Sequence, residues 1–265
     1  MAQNTKIEWT DTTWNPITGC TKISDGCTNC YATKMANRLY KMGNAKYANN
    51  FTVTLHVDAL KEPYKWKKPR RIFVCSMSDL FHEDVPDGFI QMVFAVMNEN
   101  PQHTFQVLTK RPNRIIRLST QIKLTWSDNI WLGTTVENMG AIIFYDRITM
   151  LKHTLAKTKF ISFEPLLQDM GKLDLSGIDW AIVGGESGTN ARPIQEDWVL
   201  NIKNDQNVAF YFKQWGGRNK KKAGRLLMGR TWDDMPTKRE RYEYSTITWS
   251  ELESMLKNHV LGGLQ

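Results

Sequence analysis

Short apolar runs recur along the chain, with longer helix-patterned stretches between them. The runs are Ile72–Cys75, Thr104–Leu108, Ile130–Leu132, Lys159–Phe163, Trp180–Val183 and Val208–Phe212. Each is brief and rich in β-branched and aromatic residues, the pattern of a strand buried on both faces of a parallel sheet. Between them, Asp87–Asn98 follows Pro86 and Ala141–His153 places apolar residues at helical spacing. Glu196–Asn204 opens with two acids, where the helix macrodipole favours them. Tyr31–Met42 predicts the first helix. Strand alternating with helix predicts an α/β fold with a parallel sheet. The number of units favours a partial (β/α) barrel over a doubly wound sheet. That count needs a first strand near Thr12–Ile17, where Pro16 weakens the pattern. Residues 1–217 supply the barrel. Residues 218–265, basic and polar with Trp232 and Trp249, read as a C-terminal extension packed on it. No internal repeat or low-complexity linker interrupts the order.

Composition narrows the class. A chain of 265 residues suits one α/β barrel. With 41% hydrophobic and 23% charged residues it has enough apolar content to fold. No apolar run approaches bilayer length, and MAQNTKIEWT lacks a basic-then-apolar leader pattern, so the expectation is a soluble, cytoplasmic protein without a membrane partner. The net charge of +8 favours polyanionic partners. Cations concentrate in Lys61–Arg71, where Tyr64 and Trp66 are interleaved, and in Arg218–Arg230. Rings among cations suit nucleic acid, because bases stack on the rings while phosphates meet the charges. Solvated surface is the plain alternative.

In α/β barrels chemistry sits where strands run out into the loops before helices. Polar residues gather there in this chain. Ser76, Ser78, Asp79, His82 and Glu83 follow the second strand, and Thr109, Lys110 and Arg111 the third. Thr134, Thr135, Glu137 and Asn138 follow the fourth, Glu164 and Pro165 the fifth, and Gly184, Gly185, Glu186 and Ser187 the sixth. Lys213, Gln214, Trp215 and Gly216 follow the seventh. Carboxylates converging on one mouth need cations beside them. Lys110, Arg111, Lys213 or a cationic ligand could supply these. The run IVGGES lacks the spacing of a dinucleotide-binding turn. Its glycines allow either close approach of a small molecule or a tight turn with no ligand.

The chain has four cysteines. A disulfide framework would want even numbers in a small secreted chain. Cys20, Cys27 and Cys30 instead crowd into C-x6-C-x2-C, leading from the presumed first strand into the first helix. Thiolates bind soft metals, and three on one loop can wrap a corner of a [4Fe–4S] cluster and leave its fourth iron open. Gly19 and Gly26 free the backbone beside two of them, and a helix N-terminus after Cys30 favours negative charge. Zinc closed by Cys75 or a histidine is an alternative. A dithiol at Cys27 and Cys30 leaves Cys20 unexplained, and three unrelated buried thiols is the bland reading.

The segment TWNPITGCTKISDGCTNCYA, with CSMSDLFHEDVP, VLTKRP, GTTVEN, FISFEPLL, GGESG, FKQWGG and GRTW, resembles the phage Gp37/Gp68 family, also called the three-Cys-motif family. The resemblance runs from about Ile7 to Trp232. That family is regarded as radical-SAM-like. The resemblance implies a partial (β/α) barrel, a [4Fe–4S] cluster, S-adenosylmethionine and an electron donor, and it leaves the substrate open. The first gap, six residues, departs from the commonest radical-SAM spacing of C-x3-C-x2-C. On this reading Ser76, Ser78 and Asp79 hold the amino group of S-adenosylmethionine. Glu137 and Asn138 suit ribose hydroxyls, and Gly184, Gly185 and Glu186 line the adenosine. Glu164 and Lys213 belong to the same cofactor-binding mouth. The expected activity is reductive cleavage of S-adenosylmethionine to modify or repair a substrate, with a nucleic acid or nucleotide as first choice. The competing readings are a metal-stabilised nucleic-acid-binding protein without turnover and a cluster enzyme acting as a Lewis acid.

Overall fold

Parallel strands buried on both faces need a cover on each side, and this chain supplies two different covers. The computed structural model describes residue 5 and residues 7–122, 124–143, 146–204 and 208–237. The elements run β1 (Thr12–Trp14), β2 (Ile17–Thr18), α1 (Tyr31–Lys41), β3 (Thr54–Leu55), β4 (Arg71–Val74), α2 (Asp87–Glu99), β5 (Thr104–Thr109) and α3 (Pro112–Gln121). They continue β6 (Ile130–Thr135), α4 (Gly140–Ile143), α5 (Arg147–Lys152), β7 (Thr158–Phe163), β8 (Trp180–Gly184), α6 (Glu196–Lys203), β9 (Ala209–Gln214) and α7 (Lys220–Ala223). Seven strands form one sheet in the order β1-β4-β5-β6-β7-β8-β9, every neighbouring pair parallel. Each strand lies beside its predecessor and the order never reverses. The sheet is therefore singly wound, as in a barrel, and lacks the switch point of a doubly wound fold. No ladder joins β1 to β9 among the described residues, so the barrel is open.

Side-chain alternation assigns the two covers. Ile72 and Val74 of β4, Phe105 and Val107 of β5, and Ala181 and Val183 of β8 enter the larger core. There they meet Phe89, Ile90, Val93 and Phe94 of α2, Ile115 and Leu118 of α3, and Val199 and Ile202 of α6. The intervening residues turn inward. Trp9, Phe73, Phe160, Trp180, Ile182 and Tyr211 form a separate cluster inside the curl. The rings meet at 4.7 Å between Trp9 and Phe73 and at 5.7 Å between Phe160 and Trp180. This aromatic plug fills the interior where a small barrel has room only for side chains.

Several local departures from the expected elements have plain causes. β1 ends at Trp14, because Pro16 has no N–H for a ladder. The chain then turns into β2, which pairs antiparallel with β3. β6 runs on to Thr135, beyond the apolar run, because Gly133, Thr134 and Thr135 are buried on the ladder with β7. The helix expected at Ala141–His153 is interrupted at Asp146, which sits at φ 41° and caps Thr149 N at 3.4 Å. The described part of the C-terminal tail lies along β9. Phe212 N donates to Trp232 O at 3.0 Å and Asp234 N to Phe210 O at 3.2 Å, covering an otherwise open sheet edge. Trp249 lies outside the described residues.

Gly133 shows how tightly the plug is built. A Cβ there would lie 2.3 Å from the Phe160 ring. Gly133→Ala is expected to lower stability by about 1–3 kcal/mol through overpacking. Urea unfolding should show a lower midpoint with an unchanged slope, and Phe160→Leu in the same chain should restore part of it. A midpoint equal to wild type would show that the ring moves aside without cost.

Candidate functional site

The inward alternation of the strands runs to their ends and just beyond. It places Gly184 and Lys213 of β8 and β9, Lys110 and Glu164 one residue after β5 and β7, and Glu137 two residues after β6 on the concave side, above the aromatic plug. There the interior changes from apolar to charged. Lys110 Nζ lies 3.3 Å from Glu137 Oε2, and Lys213 Nζ lies 2.8 Å from Glu164 Oε1. Ser162 Oγ donates to Glu164 Oε2 at 3.1 Å. Glu137 is 0% exposed and also receives Arg147 Nη1 at 2.8 Å. Burial alone would push its carboxyl up. Lys110, Arg147 and the Ser24 hydroxyl outweigh that and hold it below the ordinary 4.5. Close packing accounts for the paired glycines of IVGGES. A Cβ on Gly184 would lie 2.9 Å from Glu164 Oε1, and one on Gly185 would lie 2.1 Å from Trp215 O.

The cysteine loop, residues 19–30, is fastened across this mouth at three places. First, Arg111 Nη2 donates to Thr21 Oγ1 at 3.0 Å and Arg111 Nη1 approaches Cys20 Sγ at 3.8 Å. The same guanidinium is held by Asp79 at 3.1 Å and Glu83 at 2.9 Å. His82 is buried, and its Nδ1 accepts Asp84 N at 3.1 Å, so its Nε2 carries the proton and donates to Thr21 Oγ1 at 2.7 Å. Second, Gly26 N donates to Glu137 Oε1 at 3.4 Å and Asn138 Nδ2 to Asp25 Oδ2 at 2.8 Å. Third, Asn29 Nδ2 donates to Glu186 Oε2 at 3.0 Å, while Arg192 ties Glu186 at 2.6 Å and donates to Asp25 O at 3.0 Å.

The thiols sit on this fastened loop in different surroundings. Burial and the charge of Asp79 push Cys20 up to about 11, against the pull of Arg111. Burial also acts on Cys27, but Lys110 and hydrogen bonds at Ile23 and Ser24 bring it below the ordinary thiol value. Cys30 occupies the N-cap of α1 and makes no side-chain cap bond. Cys75, buried at the end of β4 with φ 59°, is pushed up to about 12 by burial. Among the described residues no three His, Cys, Asp or Glu side chains are close enough to form a ready ligand set. The loop brings the three thiols to one mouth without drawing them onto one point.

Some expected cofactor contacts have other employment. Asp79 accepts from Phe81 N, Thr109 Oγ1, Lys110 N and Arg111 Nη1 at 2.7–3.1 Å. Four donors fill a carboxylate, so Asp79 holds Arg111 and has no capacity left for an amino group. Asn138 and Glu186, expected at ribose and adenosine, hold the cysteine loop instead. Ser78 Oγ donates to Ile17 O at 2.9 Å, and Ser76 Oγ exchanges hydrogen bonds with the Asn15 amide. Lys61–Arg71 precedes β4 and lies at the opposite end of the barrel, where Tyr64 donates to Glu99 and Arg71 meets Asp11 at 2.8 Å. Reading the sequence missed Arg147, Arg192 and Asn29. Arg147 lies in the helix-patterned stretch Ala141–His153 with Asp146 and Lys152, where the pattern does not set it apart.

Two tests follow from the fastening. Glu186→Ala removes the carboxylate that Asn29 and Arg192 share, leaving Asn29 on Asn190 O and Arg192 on Asp25 O. Loss of the charge-assisted hydrogen bond from the loop, about 1.5–3 kcal/mol, should speed trypsin cleavage after exposed Lys22 by roughly tenfold or more under native conditions. Peptide mapping would read this, and an unchanged cleavage rate would remove Glu186 from the third fastening. For Glu137, the folded carboxyl is depressed. Its stabilisation is therefore full above the ordinary value of 4.5 and is lost as pH falls through the lower folded value. Wild type should exceed Glu137→Gln by about 3–5 kcal/mol near neutrality, because the variant removes the buried carboxylate charge that faces Arg147 and Lys110. The difference should shrink in acid. A gap independent of pH would show that the Glu137 charge does not hold the pair.

None of the curated proteins matches the sequence significantly. Among solved structures, the chain is similar to spore photoproduct lyase complexed with dinucleoside spore photoproduct, with TM-score 0.47, 11% identity, and 78% of this chain and 63% of that chain covered. It is also similar to a variant of that lyase with bound AdoMet and dinucleoside spore photoproduct, with TM-score 0.47, 11% identity, and 77% and 62% covered. The chain thus spans less than two thirds of the length of those structures. Residues 4–236 match the model of the family described as protein of unknown function (DUF5131), and the chain belongs to that family.

Proposed function

We propose that the protein is an iron–sulfur enzyme of radical-SAM type. The observation that carries this reading is the cysteine loop fastened over the charged mouth of an open, singly wound barrel. The donor chemistry fits a cluster. Three thiols lie on one short loop, Arg111 and Lys110 stand beside two of them, and the third begins a helix. Cys20, Cys27 and Cys30 would hold the metal. The resemblance of the cysteine segment and its companion motifs to the three-Cys-motif family supports the same assignment.

When bound, the cluster and S-adenosylmethionine supply one-electron reductive cleavage of a carbon–sulfur bond and hydrogen-atom abstraction from a substrate. The chain's own residues orient and enclose. Lys110, Lys213 and Glu164 would present both signs of charge toward an amino-acid zwitterion, with Glu137 buried behind Lys110. The carbonyl of Ser76, just after β4, accepts from Tyr31 Oη, which sets the Tyr31 ring beside the mouth. Gly184 and Gly185 let Glu164 and Trp215 pack against the β8 end and so narrow the mouth there. Asp79, Asn138 and Glu186 act indirectly, through the loop they fasten. Among the described residues no helix is long and apolar enough to cross a membrane.

The test is anaerobic reconstitution with iron and sulfide, followed by incubation with S-adenosylmethionine and a strong reductant. Formation of 5′-deoxyadenosine that disappears in Cys27→Ala is the expected result. A full iron and sulfide complement with no cleavage would sink the radical reading and leave a Lewis-acid role. A colourless protein holding about one zinc per chain would point to a structural metal in a nucleic-acid-binding protein.

A further inference from the structure

Helix α1, directly after Cys30, touches the body of the protein along a narrow strip. Ala32 and Ala36, one turn apart, are its buried residues. Lys34, Arg38 and Lys41 share the exposed face at helical spacing. Tyr31, Met35 and Met42 flank them, 55%, 43% and 67% exposed. From Tyr31 to Lys46 the sequence contains no Asp or Glu. Among the described residues, Lys34, Arg38 and Lys41 have no salt-bridge partner.

This face continues into a second basic segment that is distant in sequence. Lys34 Nζ lies 3.3 Å from where a Cβ on Gly188 would stand. Gly188 N donates to Gly217 O at 3.1 Å, and Gly217 leads straight into Arg218 and α7. From Trp215 to Arg230 there is again no Asp or Glu. Arg218, Lys221, Lys222 and Arg230 are exposed. Lys220 meets Glu8 at 3.6 Å, and Arg225 pairs with Asp233. The carboxylates at the adjoining strand ends, Glu164 and Glu186, are already matched by Lys213 and Arg192. Asp25, exposed near Arg192 and held by Asn138, is the acid that remains on this side, and the cations of α1 and α7 outnumber it.

We propose that the strip formed by α1 and α7 is a track for the sugar–phosphate backbone of an unpaired nucleic-acid strand. A run of cations with no intervening acid suits regularly spaced phosphates. Tyr31 stands between the strip and the mouth and offers a ring face on which a base can stack. An unpaired strand is favoured because a base inside a duplex cannot reach into a barrel mouth without leaving its stack. An anionic membrane is the poorer partner, because interfacial helices bury a wide apolar face and here cations hold the middle of the exposed arc. The proposal deepens the enzyme reading by naming its substrate class. It rests on that reading for the chemistry, but strand binding itself needs no cluster.

The experiment is fluorescence anisotropy of the full chain with a labelled, unstructured single-stranded DNA of about 20 nucleotides over a range of salt. The triple variant Lys34→Gln, Arg38→Gln, Lys41→Gln should flatten the slope of log affinity against log salt by about 2, since each phosphate neutralised on a single strand contributes about 0.7. The charge-keeping triple Lys34→Arg, Arg38→Lys, Lys41→Arg should retain the slope. Lys65→Gln, Lys67→Gln and Lys68→Gln, at the far end of the barrel, should leave it unchanged. An unchanged slope in the α1 variant overturns the track, as does an equal loss in the far-end variant. Binding to anionic lipid vesicles with none to the oligonucleotide overturns it too. Strand binding without S-adenosylmethionine cleavage would sink the enzyme reading and keep the track, and cleavage without strand binding would do the reverse.

Discussion

The buried guanidinium of Arg111 is the interaction on which the upper half of the molecule depends. It joins the end of β4 through Asp79, the loop beyond it through Glu83, and the cysteine loop through Thr21 and Cys20. Burying such a group costs several kcal/mol unless every donor finds a partner. Its planar fork of donors meets that condition here, as a lysine could not. Asp79 completes the arrangement by accepting from the backbone of β5's exit as well as from Arg111. A carboxylate that looks like a ligand contact in the sequence is thus the support beneath the loop that presents the thiols.

The same logic recurs across the mouth. Glu137, buried between Arg147 and Lys110, also takes the N–H of Gly26. Glu186 joins Asn29 to Arg192. Three strand ends therefore hold one loop, each through a carboxylate matched by at least one cation. Such an arrangement makes the loop's position a property of the barrel, so its thiols stay over the mouth while the thiol side chains keep separate partners. Beneath it, the aromatic plug gives the charged layer a low-dielectric floor, where each ion pair is stronger than it would be in water.

The two basic segments noticed in the sequence separate in space for a topological reason. In a singly wound parallel sheet every segment before a strand lies at one end and every segment after it at the other. Lys61–Arg71 precedes β4 and falls at the base, while Arg218–Arg230 follows β9 and falls beside the mouth. α1 follows the cysteine loop and joins the latter. Its cations drew no notice in the sequence because they recur at helical spacing and do not form a run.

The sequence by itself determined the sheet. Six apolar runs and the expected segment at Thr12–Ile17 are the seven parallel strands, since burial on both faces leaves an uninterrupted apolar signature that neighbours in space do not alter. It also determined where polar residues collect, because strand ends and the loops after them are read directly from where apolar runs stop. Only the tertiary structure decided what those polar residues do. Asp79 and Glu186 are indistinguishable in sequence from ligand-facing acids, and their partners, Arg111 and Arg192, were set by how the loops fold back. Gly184 and Gly185 looked like room for a ligand, and the room is taken by Glu164 and Trp215. Asn29 acquires its role through contacts with Glu186 and Asn190, far along the chain, and Arg147 through its turn back onto Glu137 and Thr135. Pairing of charges across a barrel mouth is a long-range fact, and no local pattern of residues encodes it.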